Sequence, residues 1–79
     1  MRENKLSAWE MDRACHAIEF RANAADNEIV YVWPKDEGGY GWSLEPRHDE
    51  PVRRGDADTA EHARNAADKA ALAAGWALL

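Results

Sequence analysis

The sequence predicts a small α+β domain that runs helix, antiparallel hairpin, helix. Three observations predict it. Met11, Cys15, Ile18, Ala22 and Ala25 recur at alternating steps of four and three, the spacing of one helix face. Glu28-Ile-Val-Tyr-Val-Trp33 and Tyr40-Gly-Trp-Ser-Leu44 are β-branched and aromatic runs closed by Pro34 and Pro46, as strands are. Eight of the sixteen residues from 59 to 74 are alanine, the strongest helix former.

The first helix is expected over about 8–25. Ser7-Ala-Trp-Glu10 has the form of a capping box, in which a hydroxyl and a carboxylate satisfy each other's backbone donors. Asn27 is a fair stop, because asparagine tolerates the left-handed conformation. The hairpin follows, its strands joined by Pro34-Lys-Asp-Glu-Gly-Gly39. Pairing Trp33 with Tyr40 sets Tyr31 against Trp42 and Ile29 against Leu44, so that all the large side chains share one face. Residues 46–57 carry no period and hold two prolines; they read as a connector with room for a short strand near Val52. Asp58-Thr-Ala-Glu61 is a second capping pattern, and Gly75 a stop for the alanine-rich helix. Trp76-Ala-Leu-Leu79 is then a short last strand or an apolar tail over the core. In this arrangement the alanine face lies on Tyr31, Trp33, Tyr40 and Trp42, large against small.

The whole chain, 1–79, makes one domain. Hydrophobic types are 46% of the 79 residues, yet sixteen of them are alanine, which leaves twenty larger side chains for a core. A domain of this size buries only about 60% of its unfolded surface, so packing must be dense. Cys15 is the single cysteine, which excludes an internal disulfide and suits a reducing compartment. The longest apolar run is Trp76-Ala-Leu-Leu79, far short of a membrane span, and the charged start does not read as a signal peptide. With fifteen acids against ten bases and a net charge of −5, direct nucleic-acid binding is disfavoured, since phosphates need excess Lys and Arg.

Candidate chemistry is thin. Cys15 and His16 are neighbours and diverge by about 100° on a helix, too far apart for a nucleophile and its base. Asp12, His16 and Glu19 share one helix face, but without a second element they read as a solvated surface rather than a metal site. Asp56-x-Asp58 has the start of a calcium loop but lacks its later ligands, and Gly38-Gly39 reads as a turn rather than a phosphate cradle. His48 and His62 have no evident partner. The expectation is therefore a non-enzyme with no cofactor and no metal.

The distribution of charge is more telling. Residues 1–27 hold five acids and four bases, and residues 51–79 hold four of each, whereas 28–50 hold Glu28, Asp36, Glu37, Glu45, Asp49 and Glu50 against Lys35 and Arg47. Asp12, Glu19 and Asp26 recur seven apart, about 10.5 Å per step along a helix. These nine carboxylates form the candidate partner-binding set. An anionic surface of this kind speeds association with a basic partner and selects it.

Two resemblances bear on the partner. Asp36-Glu-Gly-Gly-Tyr-Gly-Trp-Ser-Leu-Glu-Pro46, with Arg54-Gly-Asp-Ala-Asp-Thr-Ala-Glu-His-Ala-Arg-Asn-Ala-Ala-Asp-Lys-Ala70, resembles the antitoxin family called HicB. That family has an acidic Gly-Gly-Tyr turn, a strand closed by proline, and a Gly-Asp-Thr-like start to an alanine-rich helix. The resemblance spans residues 28–79 and implies a β-β-α-β order and a small basic toxin as partner. Arg47-His-Asp-Glu-Pro51 stands where the family has a hydrophobic stretch. As a small, acidic, cysteine-poor single domain, the chain also resembles the anti-CRISPR proteins of phages, whose acidic members mimic DNA. That resemblance implies a monomeric inhibitor in the bacterial cytoplasm. It would block nucleic-acid binding by a type I CRISPR-Cas surveillance complex, of subtype I-C, and would make no contact with nucleic acid or membrane.

Overall fold

The computed structural model describes residues 5–14, 17–23, 28–45 and 52–78. The elements run β1 (Lys5–Leu6), β2 (Glu10–Met11), β3 (Glu19–Asn23), β4 (Glu28–Pro34), β5 (Tyr40–Glu45), β6 (Arg53–Ala57), α1 (Ala60–Ala73) and β7 (Ala77–Leu78). β2 to β6 form one antiparallel sheet in sequence order, while β1 and β7 pair in parallel. Among the described residues, a five-stranded sheet with a single helix replaces the expected helix–hairpin–helix arrangement.

The first expected helix is thus a strand pair, and the residues that signalled a helix have other work. Ser7 does not cap. It exchanges bonds with Ala22: its backbone N–H donates to the Ala22 carbonyl at 2.9 Å, and its Oγ accepts from the Ala22 N–H at 3.2 Å. Asp12 Oδ1 accepts from the Ala14 N–H at 2.7 Å, the bond that makes aspartate a turn former. The Asp12 N–H closes that turn on the Ile18 carbonyl at 2.8 Å. Beyond it, β3 alternates: Phe20 and Ala22 point to one face, Glu19 and Arg21 to the other. Five registered pairs with β4, from Glu19–Val32 to Asn23–Glu28, hold it there.

The hairpin of β4 and β5 occupies the middle of the sheet, one residue out of the expected register. Val32 faces Trp42, Trp33 faces Gly41, Tyr31 faces Ser43 and Val30 faces Leu44. A slip of one residue moves every side chain of a strand to the opposite face. Tyr31 and Trp33 therefore point away from Trp42, and the aromatics do not form a single layer. Large meets small instead. A Cβ on Gly41 would lie 2.6 Å from the Trp33 ring, and one on Gly55 would lie 2.6 Å from the Trp42 ring, so each indole lies over a cross-strand glycine.

α1 covers one face only. Thr59 caps it, its Oγ1 accepting from the His62 N–H at 3.1 Å. At the other end the Gly75 N–H reaches the Leu72 carbonyl and the Trp76 N–H the Ala71 carbonyl, the paired bonds that end many helices on a left-handed glycine; Gly75 has φ +88°. Ala63, Ala67 and Ala71 are buried at every fourth position. Ala67 and Ala71 meet Val30 and Leu44 in a core closed by Leu6 and Trp76, with Trp9 and Trp42 packed against it. The expectation that alanines cover Tyr31 and Trp33 is corrected: they cover the aliphatic face. Two ion pairs flank this core. Arg21 donates to Asp68 at 2.8 Å and Arg64 to Glu19 at 2.8 Å. Arg21 also donates to the Ser7 carbonyl at 2.8 Å and sits 5.5 Å from the centre of the Trp9 ring.

Candidate functional site

Among the described residues, the one-sided packing of α1 leaves the opposite face of the sheet open. Along it run Phe20 and Ala22 from β3, Ile29, Tyr31 and Trp33 from β4, Ser43 and Glu45 from β5, and Arg54 and Asp56 from β6, as the register dictates. Ile18, Phe20, Ile29, Tyr31 and Trp33 are all half-buried. A shallow groove of about 380 Å³ lies there, lined by Ile18, Tyr31, Trp33, Ser43, Glu45 and Arg54. One end of it is apolar and aromatic. The other is polar, with the Ser43 hydroxyl donating to Glu45 Oε2 at 3.2 Å and Arg54 directly across from Ser43.

Beside this face, the end of the hairpin gathers charge. The β4–β5 turn is closed by the Gly38 N–H on the Lys35 carbonyl and the Lys35 N–H on the Gly39 carbonyl. Gly39 has φ +75°, and a Cβ there would meet the Ala57 carbonyl oxygen at 2.9 Å, so this position requires glycine. That close approach brings the end of β6 against the turn. Asp56 and Asp58 thereby join Asp36 and Glu37, and a second cleft is lined by Lys35, Gly38, Gly39, Asp56, Ala57 and Asp58. Lys35 Nζ lies 3.1 Å from both Asp56 Oδ1 and Glu37 Oε1. The Asp56 bond, then that of Glu37, holds the lysine above its ordinary pKa, and the Lys35 bond holds the Glu37 carboxyl below its own. Glu37 and Asp56 pair with the half-buried Lys35, Asp58 lines the same cleft, and Asp36 is an exposed neighbour in the turn.

The nine carboxylates expected to act together are distributed quite differently. Asp36, Glu37 and Glu45 are exposed, the first two at the hairpin end and Glu45 at the polar end of the groove. Glu28 is only 1% exposed and lies on the covered face, so it cannot present its charge. Glu19 is held by Arg64, which donates to both its oxygens at 2.8 and 2.9 Å, and Asp12 is engaged in its turn. The helical spacing that grouped Asp12 and Glu19 with Asp26 does not exist. Asp26, Asp49 and Glu50 lie outside the described residues, as do Cys15, His16 and His48.

Sequence reasoning missed Asp56 and Asp58, because cross-strand proximity to the turn is not a local property. It also missed the open face. No local signal marked it, since which side chains share a face depends on the strand register. Among the described residues no three His, Cys, Asp or Glu side chains converge to hold a metal ion, the acidic hairpin end included. No helix among them is long and apolar enough to cross a membrane. Comparison with family models, with curated proteins and with solved structures finds no match to the chain.

Proposed function

We propose that this chain is a non-enzymatic binding module that takes a basic protein as its partner, and that it acts as an inhibitor by occupying a surface that otherwise holds nucleic acid. The observation that carries the reading is the hairpin end, where, among the described residues, Asp36, Glu37, Asp56 and Asp58 outnumber Lys35. Carboxylates displayed on a rigid turn stand where a Lys/Arg-lined channel expects phosphates. The adjoining groove of Tyr31, Trp33 and Ile18 adds the apolar contact that a purely ionic encounter lacks, and aromatic anchors of this kind commonly dominate interface energetics. The partner in this reading is a type I CRISPR-Cas surveillance complex in the bacterial cytoplasm.

A second reading has its own support. From β4 to β7 the order is strand, strand, strand, helix, strand, which is the β-β-α-β order implied by the likeness of residues 28–79 to the HicB antitoxins with one more strand, β6, before the helix. In that case the same acidic end and groove sequester a small basic toxin.

Competition binding tests the first reading. The protein is titrated into a purified type I surveillance complex carrying labelled target DNA, at several salt concentrations. Displacement of the DNA that weakens steeply with salt is expected, because exposed charges act over a Debye length of about 8 Å at physiological ionic strength. No displacement at any salt concentration discards that reading, and rescue of cells from a co-expressed basic toxin then establishes the second.

A further inference from the structure

The sheet ends on β6, and among the described residues the outer side of this strand is unpaired. The opposite edge, β2, is only two residues long, whereas β6 offers five residues, Arg53-Arg-Gly-Asp-Ala57. An exposed edge of this length is a template for another strand unless something guards it. Charge is a common guard, usually of one sign. Here the signs are mixed, and their order is self-complementary.

We propose that β6 is a homodimer edge, pairing antiparallel with β6 of a second copy about a two-fold axis through Gly55. In that register Gly55 faces its own counterpart, Arg53 faces Ala57, and Arg54 of each copy faces Asp56 of the other. Arg54 and Asp56 share a face because they are two residues apart, and opposite charges directly across strands attract. The symmetry makes the pair twice. Registers centred on Arg54 or on Asp56 set like charges against each other, so the charge order selects Gly55 as the centre.

The side chains are ready for this. Arg54 is exposed and has no ion-pair partner among the described residues. Asp56 gives Oδ1 to Lys35, which leaves its second carboxylate oxygen for an arginine. Gly55 places no side chain at the axis, and on the covered face the Trp42 ring already lies over it, so each copy brings an apolar ring to the junction. The product is a ten-stranded sheet with both helices on one face and the two open aromatic faces continuous on the other. In place of the monomer implied by the anti-CRISPR resemblance, this proposal gives a dimer built on one strand.

Charge-swapped variants of the full chain test this by sedimentation velocity across a wide concentration series. The wild-type protein should pass from monomer to dimer as concentration rises. Arg54→Asp and Asp56→Arg should each remain monomeric, because each sets like charges opposite one another. An equimolar mixture of the two should form a heterodimer, since every facing pair is then complementary, and the double variant R54D/D56R should recover the homodimer. Circular dichroism checks that each variant is folded. A readout that needs no variant is amide hydrogen exchange of residues 53–57 in the wild-type protein, which should slow as concentration rises while the β2 amides do not change. A wild-type monomer at every concentration, single variants that dimerise like wild type, a mixture that stays monomeric, or exchange at 53–57 that ignores concentration would each overturn the proposal.

Discussion

The two faces of the five-stranded sheet are made by alternate residues of the same strands, yet they solve different problems. The covered face carries Val30, Val32, Trp42 and Leu44 under the alanines of α1, and three of these four are at most 1% exposed. The open face carries Phe20, Ile29, Tyr31 and Trp33, all half-buried, with Ser43, Glu45 and Arg54 beside them. Mostly aliphatic residues lie beneath the helix, with Trp42 packed against them, whereas Phe20, Tyr31 and Trp33 lie on the open face. Small helix residues allow the backbone of α1 to approach the sheet closely, and branched aliphatic side chains fill the shallow space between. Trp42, a bulky ring on this face, packs against the core without being fully buried. On the open face such rings are an asset, since they offer large contact areas while few rotatable bonds need to be fixed.

Substitutions that treat the two faces alike should therefore behave unequally. The largest effect is expected from Leu44→Ala. It hollows out the covered face and should destabilise by about 2–5 kcal/mol, the range for aliphatic truncation in a core, read from chemical denaturation. Matched threonines come next. Val32→Thr places a hydroxyl under α1 and should cost about 1–3 kcal/mol, while Tyr31→Thr, one residue away on the open face, should cost about 1 kcal/mol or less, the scale of a cross-strand pair. Equal losses would mean that the faces are not distinct. The two glycines sharpen the same comparison. Gly55→Val crowds Trp42, which is hemmed in by the core, and should cost about 1–3 kcal/mol through overpacking. Gly41→Val crowds Trp33, which can swing towards solvent, so its loss in a thermal melt should be the smaller of the two.

The smallest effect concerns the hairpin end. Asp56→Asn should let the Lys35 pKa fall back towards 10.5, followed by NMR of the Nζ-adjacent protons, because the Asp56 bond is the main cause of its elevation. The sign follows from linkage. A raised lysine pKa contributes stability below its unfolded value, and that contribution disappears as pH climbs through the folded value. Glu37 runs the other way: its depressed pKa contributes above its ordinary value of 4.5 and is lost as pH falls through the folded one. Glu37 is exposed and Lys35 only half-buried at the tip, so the melting temperature should barely move while the titration curves do.

Much of the central fold is legible from local chemistry. The run Ile29-Val-Tyr-Val-Trp33 before Pro34, the Gly38-Gly39 turn, the alanine block and Gly75 each specify an element without help from distant residues. The segment 8–25 is different. Its apolar stripe and its Ser7–Glu10 capping pattern suit a helix, and only long-range partners decide otherwise. Phe20 finds Tyr31, Ala22 finds Ile29, and Arg21 and Glu19 find Asp68 and Arg64 on a helix that comes more than forty residues later. Tertiary pairing outweighs local propensity there. The candidate site suffers from the same limit. Asp36 and Glu37 could be picked out as turn carboxylates, but Glu28 could not be seen to face the core, nor Asp56 and Asp58 to reach the turn, until the register was known.

That register is the central claim, because one residue of slip would return every aromatic side chain of the hairpin to a single face. NMR of the wild-type protein tests it directly. The account predicts cross-strand Hα contacts that place Val32 opposite Trp42 and Trp33 opposite Gly41, with the Gly41 Hα protons shifted upfield under the Trp33 indole and the Gly55 Hα protons under Trp42. Contacts that place Trp33 opposite Tyr40 and Tyr31 opposite Trp42, with neither glycine shifted, would contradict it.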